Sequence, residues 1–220
     1  MNSTEIKKII EQLRVKLNQD VLPGDKPRAL LAPFINGVNQ KQREPSKTSK
    51  QSAVLLLLSI RQEKLQVVFT LRSANLLSHS GQISFPGGKS ELNETPEETA
   101  LRETYEEIGI LPYTIDILGK LSPLFVLPSN SNIIPVVGYS EQYLDFIINH
   151  KEVEEVFTKP LDFFTFRNIK KKMWNIHNEI YDIPYWEVHP LIPLWGATAM
   201  ILAEFIEIYQ SIDRITLELE

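Results

Sequence analysis

The sequence contains no cysteine, so disulfides, thiolate metal sites and thiol nucleophiles are excluded, and nothing speaks for an oxidising compartment. It also lacks an excess of positive charge: 23 Lys and Arg stand against 28 Asp and Glu, a formal net charge of −5. With no basic run interleaved with aromatics, a nonspecific DNA or RNA binder is excluded, and an anionic substrate needs a local device such as a metal ion. Long hydrophobic runs are missing as well. The longest in the first half, Ala53 to Leu58, suits a buried strand and falls far short of the roughly 20 residues of a membrane span. The opening Met-Asn-Ser-Thr-Glu-Ile-Lys-Lys does not follow the basic-then-apolar order of a secretory signal. A cytoplasmic location is therefore expected, and Asn2-Ser-Thr and Asn93-Glu-Thr read as chance matches to a glycosylation site. There is no internal repeat. What is present, 220 residues with 43% hydrophobic and 23% charged, fits one globular domain with additions rather than two domains.

Ser3 to Leu17 reads as an amphipathic helix with Ile6, Ile9, Ile10, Leu13 and Leu17 at helical spacing and Ser3 or Thr4 as its cap; its expected role is packing or homodimer formation. Between Asn36 and Ser52 the composition turns polar and basic, as in an exposed linker. This divides the chain into an N-terminal helical extension (1–35), a linker (36–52) and a catalytic domain (53–220). Val54 to Ile60 and Leu65 to Leu71 read as a hairpin, and Ile83-Ser-Phe as a short strand running into Pro86-Gly-Gly. Thr95 opens a helix with Pro96 in its first turn and Glu98 completing a capping box, and Gly109 closes it. Later strands are expected at Ile115 to Leu121, Ile133 to Tyr139 and Leu144 to Ile148, a short helix at Glu152 to Phe157, a solvated loop at Lys170-Lys-Lys, and a second apolar helix at Ala197 to Tyr209. The order suggests an α+β fold, a mixed sheet flanked by helices.

The chemistry gathers on the helix that begins after Thr95. At 100° per residue, Leu101, Tyr105 and Ile108 fall in one arc, the expected buried face, and Glu103, Glu106 and Glu107 on the other side. Like charges at these spacings oppose helix formation by roughly 0.2–0.5 kcal/mol per pair, a repulsion that a bound divalent cation would remove. Hard oxygen ligands select Mg²⁺ or Mn²⁺, and no His cluster argues for zinc. Taken alone, the glutamates are more simply a solvated acidic face. Their surroundings change the balance: Pro86-Gly87-Gly88 leaves a strand where backbone can approach a phosphate, and Glu94 and Arg102 are placed to tie that loop to the helix.

This stretch resembles the signature of the Nudix hydrolase family, G-x5-E-x7-R-E-U-x-E-E-x-G-U with U a bulky apolar residue. Gly88, Glu94, Arg102, Glu103, Glu106, Glu107, Gly109 and Ile110 fall on it in register, and Thr104 departs from it where an apolar residue is usual. The resemblance implies an α/β/α sandwich, hydrolysis of a nucleoside diphosphate linked to another moiety, and a divalent cation held by Glu103, Glu106 and Glu107. It also implies that Arg102 and Glu94 hold loop and helix together in the catalytic centre. The general base of such enzymes is a signature glutamate or a carboxylate of a later loop, here Glu152 or Glu155.

Upstream, Thr70, Arg72, Ser73, Gly81, Phe85, Pro86, Gly87 and Gly88 resemble the additional motif of the coenzyme A pyrophosphatase branch, L-L-T-x-R-[SA]-x3-R-x3-G-x3-F-P-G-G. Leu77 stands where that motif has its second arginine, which puts coenzyme A recognition in question. The resemblance implies a nucleotide-derived substrate contacted by Arg72, Gly87 and Gly88, with coenzyme A or its thioesters foremost, and ADP-ribose or a dinucleotide as the alternative. Arg72 equally fits a surface arginine ending a strand. A non-catalytic nucleotide-sensing module is the remaining reading, disfavoured because all the signature glutamates are present. Trp195 and His79 read as a core residue and an ordinary loop residue.

Overall fold

A computed structural model describes residues 2–35, 38–39, 44–74, 81–176 and 179–217; Leu77, His79 and His177 lie outside the described residues. In chain order the elements are α1 (Ser3–Leu17), α2 (Asp25–Arg28), β1 (Phe34–Ile35), β2 (Val38–Asn39), β3 (Lys50–Arg61), β4 (Lys64–Arg72), β5 (Ile83–Ser84), β6 (Gly87–Lys89), α3 (Pro96–Ile108), β7 (Asp116–Lys120), β8 (Leu124–Val126), β9 (Ser131–Ser140), β10 (Val153–Pro160), β11 (Lys170–Ile176), β12 (Glu179–Tyr185) and α4 (Gly196–Leu217).

The central sheet runs β10-β4-β3-β9-β7, with β5, β6 and β8 pairing to β4, β3 and β9. Strands β3 and β9 are parallel and the other pairs antiparallel, so the sheet is mixed. Strand periodicity sends successive side chains to opposite faces. Leu55, Leu57 and Val68 therefore meet Ala100 and Ile108 of α3 on one side, while Leu56, Leu58, Val67 and Phe69 meet Leu13 of α1 and Phe205 of α4 on the other. A strand covered on both faces reads as the continuous apolar run seen at Ala53 to Leu58, and burying each such leucine contributes about 1.5–3 kcal/mol. The layers are helix, sheet, helix, as the family resemblance implied. A second, four-stranded sheet, β11-β12-β1-β2, carries the segment that leads to α4. The β3–β4 hairpin turns at Gln62 and Glu63, both in the left-handed region with φ 53° and 58°, as a two-residue turn matched to strand twist requires. Among the described residues no helix is long and apolar enough to cross a membrane.

Helix α1 has the expected bounds, but its cap is Asn2 rather than Ser3 or Thr4. The Asn2 side chain accepts the Glu5 N–H at 2.9 Å while the Glu5 carboxylate accepts the Asn2 N–H at 2.8 Å, a reciprocal box that neither neighbour can form at this offset. Ile6, Ile10, Leu13 and Leu17 are buried in the α4 side of the core, so the apolar face of the helix is used within the chain. Arg14 Nη1 and Asn18 Nδ2 donate to the carbonyls of Ile117 and Leu118, at 2.8 and 2.9 Å, and so cover the free edge of β7. Strand β3 opens at Lys50, inside the segment read as a linker.

Three local expectations are corrected. Leu144 to Ile148 forms no strand; its backbone instead caps α3, the Ile147 and Asn149 N–H groups donating to the carbonyls of Ile108 and Glu107. Glu152 to Phe157 is not a helix but the start of β10, because Val153 and Val156 pack beneath α3 while Phe157 turns to the other face, the alternation of a paired strand. Lys170-Lys-Lys is not a loop but part of β11, with Lys170 paired to Glu187 and Lys171 to Asp182. The apolar helix at Ala197 extends from Gly196 to Leu217.

One buried ion pair ties the α4 side together. Arg28 and Glu204 are both fully buried and bonded to each other. Glu204 Oε1 also accepts from Ser122 Oγ at 2.6 Å and from the Gly24 N–H at 3.0 Å, and Arg28 Nη1 donates to the Pro123 carbonyl at 2.8 Å.

Candidate active site

Helix α3 starts and stops as the sequence dictates. Thr95 caps it with Glu98 in a capping box, Pro96 occupies the first turn, and Gly109 ends it in the left-handed conformation, φ 74°. A side chain at Gly109 would also run into Ile147, 2.6 Å from its Cβ. The face that meets the sheet differs from the expected one. Ala100, Thr104, Glu107 and Ile108 are buried, whereas Leu101 is only partly covered and Tyr105 is half exposed. Helical periodicity groups residues into faces but does not say which face the sheet takes. Here the small residues Ala100 and Thr104 face the sheet. The Thr104 hydroxyl, at the position that departs from the family pattern, is satisfied by the Ala100 carbonyl at 2.6 Å.

This rotation presses the carboxylates against the glycine strand. A Cβ on Gly88 would lie 2.4 Å from the Glu103 carboxyl group, so any other residue there would push that carboxylate aside. Arg102 forms the bridge that the sequence suggested. Its Nε and Nη2 grip both oxygens of Glu94 at 2.6 and 3.0 Å, and Nη2 also reaches the Lys89 carbonyl at 3.1 Å. Its Nη1 contacts Glu103 at 2.9 Å and Glu106 at 3.2 Å. Glu94 further accepts the Glu91 N–H and the Thr99 hydroxyl, and the Arg102 bond above all holds its pKa down at about 2. Loop, strand and helix thus meet on one guanidinium, which bidentate geometry makes specific.

Glu107 is the unusual member, 1% exposed. Arg72 Nη1 lies 3.4 Å from its Oε1 and the Gly87 N–H donates to its Oε2 at 3.3 Å. Burial pushes its pKa up to about 8, with the Arg72 charge opposing the rise. Burial likewise raises Glu103, with Arg102 opposing, and the charge of Glu152 adds to the rise at both groups. Glu152 therefore lies close enough for its charge to be felt by both. Its Oε1 accepts from Asn149 Nδ2 at 3.3 Å, and its backbone is pinned to the end of β4 through the Ser73 N–H. Arg72, Gly87 and Gly88, expected at the substrate, are all brought to the glutamates.

The donor set fits a hard divalent cation. The candidate ligands are all carboxylate oxygens, and the carboxyls of Glu103 and Glu107 have raised pKa values, chiefly through burial, with neighbouring carboxylates adding a smaller part. Among the described residues no three acidic or imidazole groups form a ready-made cage. Mg²⁺ does not require one, since it takes one or two carboxylates and completes its shell with water and substrate phosphate.

A stability prediction follows from Glu107. Its folded-state pKa lies above the ordinary carboxylate value, so its contribution is fully favourable only below about pH 4.5 and is lost progressively as pH rises towards 8. Metal-free protein carrying Glu107→Gln is expected to melt higher than wild type at pH 8. The two should converge near pH 4.5. Melting curves across that range in chelator check this, and equal melting temperatures at pH 8 would contradict the burial of an ionisable Glu107.

A carboxylate cluster is clamped by arginine onto a glycine strand, at the end of a mixed sheet between helical layers. The chain belongs to the Nudix family: the NUDIX domain matches residues 49–182. The protein named Nudix hydrolase 3 of Caenorhabditis elegans is 39% identical over 120 residues, covering 53% of this chain and 50% of its own. The peroxisomal coenzyme A diphosphatase NUDT7 of Mus musculus is 38% identical over 118 residues, again 53% and 50%. Nudix hydrolase NudL of Yersinia enterocolitica is 31% identical over 182 residues, 78% of this chain and 89% of that protein. The chain spans about half the length of the first two of these relatives. Among solved structures, the Nudix hydrolase RenU of M. Smegmatis superposes with a TM-score of 0.47 at 17% identity, over 84% of this chain and 92% of that one.

Proposed function

We propose that this protein is a divalent-cation-dependent pyrophosphatase that cleaves the diphosphate of coenzyme A or its thioesters, releasing a phosphopantetheine product and adenosine 3′,5′-bisphosphate. The observation that carries the reading is the convergence of Arg72, Gly87, Glu103, Glu107 and Glu152 at one end of the sheet. The motif around Arg72 and the relative named a coenzyme A diphosphatase support the substrate.

In this reading Glu103, Glu106 and Glu107 hold Mg²⁺ or Mn²⁺, which when bound neutralises the diphosphate and acidifies water. Arg102 fixes the helix against the Gly88 strand and shares its charge between Glu103 and Glu106. The Gly87–Gly88 strand brings backbone within reach of a phosphate without a side chain in the way. Arg72 pairs with Glu107 and offers its remaining Nη hydrogens to the substrate phosphate. Glu152, with one oxygen held by Asn149, takes the proton of the attacking water, a role worth about 10²–10⁴-fold. Water oxygen bonds to phosphorus as the bridging oxygen departs with the other phosphate.

A panel of coenzyme A, its 3′-dephospho form, ADP-ribose and a dinucleotide, assayed with Mg²⁺ and with Mn²⁺, tests the substrate. Preference for ADP-ribose by a wide margin would overturn coenzyme A while leaving the pyrophosphatase reading intact.

A further inference from the structure

A second polar constellation lies on the other face of the same sheet end. His189 Nε2 sits 3.2 Å from Glu155 Oε2, and the Leu191 N–H donates to His189 Nδ1 at 3.3 Å, which leaves the ring proton on Nε2, pointed at the carboxylate. The ring is tilted against Phe157 at 5.6 Å, and the His189 side chain is 13% exposed whereas that of Glu155 is 48% exposed. The imidazole is thus a fixed prop and the carboxylate is the open group. Among the described residues Glu155 Oε1 has no hydrogen-bond partner.

Placement separates this pair from the acidic cluster. Strand β10 carries an irregularity between Val153 and Glu155, so that Val153 pairs with Arg72 and Glu155 with Leu71. Arg72 reaches Glu107 on the α3 side, whereas Leu71 belongs to the core on the α4 side, and Glu155 shares its face. Bulges re-aim side chains beside functional sites. Glu155 is one strand step from Arg72, about 3.3 Å along the axis, yet directed away from the metal-side carboxylates, so it cannot serve the attacking water as Glu152 can.

We infer that Glu155, positioned by His189, is a recognition group for an N–H donor of the substrate, namely the 6-amino group of its adenine. The inference rests on the coenzyme A reading and adds to it that the nucleoside attached to the diphosphate crosses the sheet end from the Arg72 side to Glu155. Glu155 Oε1 accepts the amino hydrogen. His189 is a positioning residue that restrains Oε2 and stops the carboxylate rotating away. The amide N–H groups of the pantetheine arm offer the same chemistry, and the experiment separates the two.

The test is calorimetric titration of the metal-free protein with AMP, with purine riboside 5′-monophosphate, which lacks the 6-amino group, and with 4′-phosphopantetheine. Wild type is expected to bind AMP at least about tenfold more tightly than the amino-free analogue, the size of one charged hydrogen bond. Glu155→Leu should abolish that ratio with phosphopantetheine binding unchanged. His189→Phe, which keeps the aromatic contact but loses the N–H, should shrink the ratio while leaving the melting temperature close to wild type. Equal wild-type binding of the two nucleotides, retention of the ratio in Glu155→Leu, or weakening of phosphopantetheine instead would overturn the assignment. Cleavage of coenzyme A by wild type is measured in parallel by product mass. Cleavage without discrimination sinks only this subsite, and discrimination without cleavage sinks only the parent reading.

Discussion

Replacing Glu106 or Glu107 by glutamine is expected to cut turnover by at least about 100-fold while the protein stays folded, because each change removes a negative charge that a cation-assisted reaction requires and opens no cavity. The two variants should differ in stability. Glu106 is half exposed and, among the described residues, pairs with Arg102 at 3.2 Å, so its loss leaves metal-free melting nearly unchanged, whereas Glu107→Gln raises it at alkaline pH. Added Mn²⁺ should stabilise wild type through preferential binding to the folded state and should stabilise either variant less. Near-normal turnover in both variants would remove the cation site from this helix.

The second large effect lies far from the chemistry. Glu204→Ala is expected to destabilise the fold by about 3–5 kcal/mol, since it strands the fully buried Arg28 guanidinium and leaves the Gly24 N–H and the Ser122 hydroxyl without their acceptor. For a chain of this length that corresponds to a fall in melting temperature of roughly 6–20 °C. Kinetic constants of the folded fraction should be unchanged, because the pair joins α2 and α4 on the face of the sheet opposite α3. A fall of less than 3 °C would mean that the site relaxes to admit water.

What could be read from the sequence was whatever is local. The bounds of α1, the Thr95 and Gly109 caps of α3, the β3–β4 hairpin and the Glu94–Arg102 bridge all follow from residues within one element or a few positions of one another. What escaped depends on partners far along the chain. The wheel of α3 grouped Leu101, Tyr105 and Ile108 correctly as neighbours, but the sheet chose the adjacent arc, where Ala100 and Thr104 permit close approach and Glu107 is drawn into the protein. The helical reading of Glu152 to Phe157 failed because two glutamates ahead of a valine and a phenylalanine suit either period until β4 supplies a ladder. The same holds for Lys170 to Lys172, whose strand character comes from β12. No local signal marks Arg28 and Glu204 as partners across 176 positions, or His189 and Glu155 across 34. A buried charge announces itself only once its counter-charge is placed. Glu152 was one of two carboxylates in reach of the base role, and only the strand's faces separate it from Glu155.

The central claim, cation-dependent cleavage of a coenzyme A diphosphate at the Glu103–Glu107 cluster, is tested most directly by incubating the 220-residue chain with coenzyme A in ¹⁸O-labelled water, with Mg²⁺ or with chelator, and weighing both products. The account predicts 4′-phosphopantetheine and adenosine 3′,5′-bisphosphate in equal amounts, one label incorporated into one of them, and loss of both products in chelator and in Glu106→Gln. Undiminished cleavage in chelator, or intact coenzyme A after prolonged incubation of folded, metal-loaded protein, would contradict it.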